Sequence, residues 1–193
     1  TSKVAYDNGA LIAVNGPSFN PDQVKHTYWT KVNGSVLSSV NATGSGLLFN
    51  TDDPYRLFHV AYNLQKKWVN EHWDNAISTE CVMIDGEYAA SETGTSTTCT
   101  EKSPGFPVFG FNEKTGYIYI FLVDGYRSGS WGISYYGAYK LLKACGCTSG
   151  FVCDGGGSST LTLKDTIVPS SDFSPNQYTP SGASGYKNMN YTI

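Results

Sequence analysis

Short apolar runs separated by turn residues dominate the sequence. Alternation of apolar and polar positions around Asn33-Gly34 predicts a β-hairpin within residues 27–40, because Asn-Gly suits a two-residue turn between strands. Other runs of strand length predict further strands, and they lie at residues 10–14, 46–50, 55–64 and 80–88.

The later half of the chain shows the clearest order of elements. Residues 116–125 (GYIYIFLVDG) form a nearly continuous apolar run, which is typical of a strand covered on both faces. Residues 133–146 predict a helix that Ser134 can cap and Gly146 can end. The apolar run FVC at 151–153 predicts another strand, so these elements have the length of one βαβ crossover.

Two aspartates follow the strands of this predicted crossover. Asp124 ends the first apolar run and Asp154 ends the second. Parallel strands would place both at carboxyl ends, where open α/β sheets bind ligands. If the strands adjoin, about 4.8 Å apart, the two carboxylates can act as a pair.

A glycine-rich loop follows Asp154 and invites two interpretations. The backbone N–H groups of Gly155, Gly156 and Gly157, with the hydroxyls of Ser158 and Ser159, can form a concave anion nest. The alternative is a glycine-rich turn that binds nothing.

Three further segments have simpler readings. Asp85-Gly86 is expected to be a hairpin turn. Residues 65–75 predict a short helix with His72 on one face, and residues 91–107 predict a surface loop. Arg127 can pair with Asp124, hold a phosphate or lie on the surface as an ordinary arginine.

Composition narrows the classes of partner. The 193 residues favour one domain, compatible with excision from a longer protein, and a net charge of −3 argues against nucleic-acid binding. No stretch has the roughly 20 apolar residues that a membrane span needs. Neutral polymers and small molecules are the expected partners.

The five cysteines do not have the spacing of a zinc site. An odd number leaves at least one thiol free or paired with another chain. Cys153 lies within an apolar strand run, so it is expected to be buried and reduced.

Four segments, in their order along the chain, carry a resemblance to a known family. They are AVNGPSF (13–19), FLVDGYRSGSWGIS (121–134), FVCDGGGSSTL (151–161) and VPSSD (168–172). With them the chain resembles the phosphodiester glycosidase family over roughly residues 3–193. The resemblance implies an α+β, or mixed α/β, domain with a curved, largely antiparallel sheet and packed helices, to which the residues add the βαβ crossover carrying the site.

The implied activity is hydrolysis of a sugar 1-phosphodiester, such as an N-acetylglucosamine 1-phosphate linkage in a glycan or cell-surface polymer. On this resemblance Asp154 and Asp124 are the catalytic residues. The family motifs assign the remaining site residues to substrate binding: Asn15, Gly16, Arg127, Gly155, Gly156, Gly157, Ser158 and Ser159.

The sequence departs from the family pattern in places that bear on phosphate binding. Residues 105–110 (GFPVFG) lack an arginine found in many members, Gly137 stands where a glutamate is frequent, and residues 185–190 (GYKNMN) replace a late arginine element. If the missing arginines bind phosphate in the family, this chain must use Arg127 or Lys187 instead, accept another linkage, or have lost catalysis. The alternative function is therefore a carbohydrate-binding or virion tail module that has lost turnover.

The pattern requires no cofactor, although a divalent cation between the two aspartates is compatible with it. An extracellular or virion-associated location is expected.

Overall fold

The computed structural model describes residues 1–20, 25–26, 29–38, 46–52, 59–61, 72–90, 104–125, 130–164 and 186–190. Within these ranges short strands predominate. The helices are α1 (Ser2–Asp7) and α2 (Tyr135–Ala144), with a 3₁₀ turn at Gly156–Ser158. The strands are β1 (Ile12–Val14), β2 (Phe19–Asn20), β3 (Lys25–His26), β4 (Thr30–Val32), β5 (Ser35–Ser38), β6 (Gly46–Phe49), β7 (His59–Ala61), β8 (Asn75–Ser78), β9 (Glu80–Ile84), β10 (Glu87–Tyr88), β11 (Pro107–Asn112), β12 (Tyr117–Leu122), β13 (Ser149–Val152), β14 (Thr160–Lys164) and β15 (Tyr186–Asn190).

The described strands form four sheets, and every pairing within them is antiparallel. One five-stranded sheet has the order β10-β9-β13-β11-β12, and a second has the order β5-β4-β8-β6-β7. A three-stranded sheet has the order β1-β14-β15, and β2 pairs with β3. The expectation of a largely antiparallel sheet architecture is confirmed, and the described residues contain few helices.

Both predicted hairpins are present. Asn33 and Gly34 have φ values of 47° and 81° between β4 and β5. Asp85 and Gly86 have φ values of 52° and 80° between β9 and β10. Positive φ at both central residues is the requirement of the type I′ turn, which explains why these dipeptides marked the turns correctly.

The predicted helix is present as α2. The Ser134 side chain accepts a hydrogen bond from the Gly137 N–H at 3.0 Å, and Gly146 ends the helix with φ 71°. Its inward face buries Ala138 and Leu142 against the first five-stranded sheet. The sheet contributes buried side chains to this core, namely Val82, Met83, Val108 and Val152.

The prediction that residues 116–125 form a strand covered on both faces is wrong. Among the described strands β12 is at the edge of its sheet and pairs only with β11. No residue of β12 is fully buried, and Tyr117 and Ile118 are 64% and 45% exposed. An apolar run does not by itself tell a central strand from an edge strand.

Several predictions concern residues outside the described ranges. Residues 65–71 of the predicted helix and residues 91–103 of the predicted loop are outside the described ranges. In the described part His72 is exposed. Neither described helix is long and apolar enough to cross a membrane.

Candidate active site

The two aspartates follow strands that run in the same direction but do not adjoin. Asp124 follows β12, and Asp154 follows β13. Strand β11 lies between β12 and β13 and pairs antiparallel with both. The condition for a carboxylate pair, that the two strands adjoin, is therefore not met, because β11, from earlier in the chain, lies between them. Two strand spacings put the segments roughly 10 Å apart, beyond direct contact of the carboxylates.

Backbone pairing continues past the ends of both strands. The Val123 N–H donates to the Phe106 carbonyl at 2.9 Å, and the Cys153 N–H donates to the Pro107 carbonyl at 3.0 Å. The segment that leads into β11 consequently fixes the backbone just before Asp124 and just before Asp154.

Gly105 contacts both aspartate segments. A Cβ at this residue would overlap the Val123 carbonyl oxygen and would lie 2.8 Å from the carbonyl carbon of Asp124. Its own carbonyl accepts hydrogen bonds from the Gly156 N–H at 2.9 Å and from the Ser159 hydroxyl at 3.2 Å. Sequence analysis missed this residue, since nothing in the string GFP shows which strands it will touch.

The glycine-rich loop uses most of its donors internally. The N–H groups of Gly156, Ser158 and Ser159 donate to the carbonyls of Gly105, Gly155 and Gly156, respectively. The Ser159 side chain is fully buried. Of the predicted anion nest, the Gly156 N–H and the Ser159 hydroxyl are thus occupied by the Gly105 carbonyl, whereas the Gly155 and Gly157 N–H groups and the Ser158 hydroxyl stay a prediction.

Other parts of the loop remain accessible. Gly157 is exposed, and Asp154, Gly155 and Ser158 are half-buried. Gly156 has φ 60° and is buried, so a side chain at this position would strain the loop itself. A Gly156→Val variant would thus report on folding rather than on anion binding.

Asn15 and Gly16 hold the backbone of Asp154. The Asn15 side chain donates to the Asp154 carbonyl at 2.9 Å and accepts from the Thr160 N–H at 2.8 Å. The Asp154 N–H donates to the Gly16 carbonyl at 3.2 Å. Pairing of β1 with β14 brings these distant segments together, with Val14 opposite Leu161.

Ser18 contacts the Asp154 carboxylate directly. Its hydroxyl donates to Oδ1 of Asp154 at 2.9 Å. Ser18 lies within the AVNGPSF segment, but the sequence alone assigns it no role. The position of Ser18, three residues after Asn15, was the only feature that could have predicted this contact. It does so only once the pairing of β1 with β14 is known.

Asp124 forms hydrogen bonds with residues that follow it closely in the chain. Oδ1 of Asp124 accepts from the Gly125 N–H at 3.0 Å, and the Asp124 carbonyl accepts from the Ser130 hydroxyl at 2.9 Å. Arg127 lies outside the described residues. Lys187 lies on β15 opposite Leu163.

Cys153 is a free thiol that is partly buried. Burial raises its pKa to about 12, outweighing the lowering effect of a hydrogen bond with Thr79. Cys81, Cys145 and Cys147 are also free, whereas Cys99 lies outside the described residues. Cys153 is thus free in the structure, as expected, although the side chain is not fully buried.

The described residues include no group of three or more His, Cys, Asp or Glu side chains arranged to hold a metal ion. The carboxylates of Asp124 and Asp154 are each engaged by donors of the protein, Gly125 N–H and Ser18 hydroxyl. In the part of the chain that is described, this site consists of two separated carboxylates and a tightly bonded loop.

Comparisons with known proteins agree with the fold. A family model described as phosphodiester glycosidase matches residues 8–184. A hypothetical protein from Synechocystis has a similar structure, with a TM-score of 0.64 and 11% identity; the match covers 84% of this chain and 49% of that one.

The catalytic domain of zebrafish N-acetylglucosamine-1-phosphodiester alpha-N-acetylglucosaminidase, auto-inhibited by its pro-peptide, is also similar. Its TM-score is 0.60 at 18% identity, with 95% of this chain and 64% of that one covered. The chain thus spans about half to two thirds of these two structures, and at such identities the likeness shows the fold. The comparison with curated proteins finds no match.

Proposed function

The chain belongs to the phosphodiester glycosidase family, and from this premise we propose that it hydrolyses a sugar 1-phosphodiester. Water adds to the sugar C1, the bond between C1 and the phosphate oxygen breaks, and the phosphate leaves as a monoester of the other alcohol. A phosphate ester is a good leaving group, so stabilisation of charge counts for more here than protonation of the leaving oxygen.

The observation that carries this proposal is the way the protein holds Asp154. Its backbone is fixed on two sides by Asn15 and Gly16, while its carboxylate is half-buried and bonded to Ser18. A carboxylate held so firmly at an accessible place is suited to act beside a sugar C1 that develops positive charge.

Asp124 is proposed as the second carboxylate. It is half-buried at the end of β12, and Gly105 links its backbone to the loop that follows Asp154. The segment at Gly105 and Phe106 fills the roughly 10 Å between the two strands, so we place the sugar ring over this segment, with one aspartate on each side of it. We therefore assign the two aspartates to different sides of the substrate.

Phosphate binding is assigned to the accessible groups of the glycine-rich loop together with Arg127. Gly157 is exposed and Ser158 is half-buried, so both are available to a ligand. Arg127 follows Asp124 by three residues in the motif shared with the family. The substrate is proposed to be a glycan or cell-surface polymer of the N-acetylglucosamine 1-phosphate type, with the protein extracellular or virion-associated.

One observation favours the alternative of a carbohydrate-binding module without turnover. Gly137, at the position where the family often has glutamate, belongs to the N-terminal cap of α2, and a Cβ there would lie 2.9 Å from the Ile133 side chain. Gly137 therefore contributes to the N-terminal end of the helix. It supplies no carboxylate for hydrolysis at the position where the family often has one.

The deciding experiment measures release of free N-acetylglucosamine from its 1-phosphate methyl diester, together with calorimetric binding of the same compound. Turnover that Asp154→Asn abolishes supports the hydrolase. Binding without turnover supports the module, and neither binding nor turnover on a panel of sugar 1-phosphodiesters rejects both.

A further inference from the structure

A cavity of about 260 Å³ lies directly behind the Asp154 loop. It is enclosed by β1 and by facing strands of the two five-stranded sheets. Residues that line it and bear on its chemistry are Ala13, Asn15, Thr79, Phe109, Ile120 and Cys153. The cavity is open to solvent in part, and Ile12, one of its lining residues on β1, is 44% exposed.

The chemistry of the walls selects an apolar occupant. None of these lining residues is charged, and the rings of Phe109 and Phe151 stack with centroids 4.7 Å apart. The polar side chains are already bonded within the protein: Thr79 donates to the Val152 carbonyl, and Asn15 bonds to Asp154 and Thr160. A polar ligand would lose its hydrogen bonds to water here and find few hydrogen-bond partners in the cavity. A hydrocarbon chain has no hydrogen bonds to lose.

The position of the cavity connects it to the candidate active site. Cys153 lines the cavity and directly precedes Asp154 in the chain, so the Cα atoms of the two residues are about 3.8 Å apart. Gly16 also lines it and accepts the Asp154 N–H. A molecule whose reacting group lies at Asp154 can therefore extend an attached chain into the cavity.

We propose that this cavity binds a hydrocarbon chain carried by the substrate, so that the preferred substrates are amphiphilic sugar 1-phosphodiesters with an alkyl or prenyl alcohol on the phosphate. This inference rests on the proposed function for its reaction, but the cavity itself can be tested without turnover.

The binding test uses the fluorescent apolar probe N-phenyl-1-naphthylamine with the full chain. We expect saturable binding of one probe per protein. Ile120→Trp, which fills the cavity from β12, should weaken it at least tenfold. Ile118→Trp is the matched control, because Ile118 is on the same strand but does not line the cavity. Ala13→Phe is a second cavity-filling variant from another sheet, and circular dichroism confirms that each variant is folded.

The kinetic test compares N-acetylglucosamine 1-phosphate diesters of methyl, butyl, hexyl and octyl alcohols. Each buried methylene should raise kcat/KM by about fourfold until the cavity is full. Ile120→Trp should remove this dependence on chain length and leave the methyl diester nearly unaffected.

The two proposals fail in different ways. Absence of saturable probe binding, or equal binding by both cavity-filling variants and the wild type, overturns the cavity inference. Cleavage of methyl and octyl diesters at equal kcat/KM also overturns it while leaving the hydrolase intact. Probe binding that the variants block, with no cleavage of any diester, keeps the cavity as an apolar site and rejects the proposed function.

Discussion

The Ser18 hydroxyl lies 2.9 Å from Oδ1 of Asp154, although 136 residues separate the two along the chain. This bond constrains the rotation of the carboxylate and occupies one of its oxygens. Ser18 is therefore a positioning residue for the group that we place at the sugar C1.

Loss of the Ser18 hydroxyl should lower turnover more than it lowers stability. We expect Ser18→Ala to reduce kcat for a sugar 1-phosphodiester about tenfold with little change in KM, because a positioned charge acts mainly in the transition state. Ser18→Thr keeps the hydroxyl and should recover most of the lost activity. Equal kcat in the alanine variant and the wild type would remove Ser18 from this role.

Neutral replacements of the two aspartates should separate chemistry from folding. Asp154→Asn and Asp124→Asn keep the oxygen that accepts from Ser18 or from the Gly125 N–H. Each should lose at least about 100-fold in turnover, and the double variant should lose far less than the product of the two. Steady-state kinetics and thermal midpoints, the latter shifting by only a few degrees, measure both effects.

Asp85→Asn is the matched control for this pair. Asp85 also precedes a glycine at the end of a strand, but it forms the β9–β10 turn near the start of β13, where the Gly86 N–H donates to Thr148. Turnover should remain at the wild-type value. If Asp85→Asn lost as much activity as Asp154→Asn, the effect of the aspartates would not be specific to the site.

Gly105→Ala should damage folding, since the added methyl group meets backbone rather than a side chain that can move. Overpacking of this kind costs about 3 kcal/mol of unfolding free energy. Gly16→Ala should be nearly neutral for stability, because its Cβ would meet no atom within 4 Å. Urea denaturation of both variants tests the contrast, and equal midpoints would show that the segment at Gly105 relaxes freely.

Buried thiols should make stability decline at high pH. Burial raises the pKa of Cys81 and of Cys153 to about 12, from an ordinary value of 9.0. Below pH 9 both thiols are protonated in the folded and unfolded states, so their stabilising contribution is complete. As the pH rises from 9 toward 12 the unfolded chain loses these protons first, and the unfolding free energy falls.

Two measurements check this prediction. Iodoacetamide at pH 8 should label Cys81 and Cys153 slowly in the native protein and rapidly in urea, because the thiolate is the reactive form. The unfolding free energy of Cys81→Ala should fall less steeply between pH 9 and 11 than that of the wild type. Identical slopes would contradict the raised pKa of Cys81.

Local chemistry was readable in the sequence, and long-range pairing was not. The two turns were predicted because Asn33 and Asp85 precede glycines that favour positive φ, and α2 was predicted because Ser134 can cap it. These signals depend on a few neighbouring residues. β11 joins β12 in a hairpin across residues 113–116, a local pairing that was overlooked, whereas its pairing with β13 is long-range and no short segment encodes it.

The same distinction applies to the candidate site. Asp124, Asp154 and Asn15 were identified from motifs, and the contact of Asn15 with Asp154 joins two of them. The contribution of Gly105 was not visible, because its importance comes from the absence of a side chain between two other segments. Two donors of the predicted anion nest, the Gly156 N–H and the Ser159 hydroxyl, bond to the Gly105 carbonyl, a partner that the sequence of the loop does not reveal.

The contacts of Asn15 have a consequence for how the chain is made. Asn15 bonds to partners 139 and 145 residues later, and among the described strands β1 pairs only with β14. At 5–20 residues per second, a ribosome needs roughly 7 to 30 s to supply these partners after Asn15 has been translated. During that interval β1 presents an unsatisfied backbone edge to the cell. Activity should therefore appear only after β14 emerges, and chaperone dependence should be greatest in nascent chains that stop short of it.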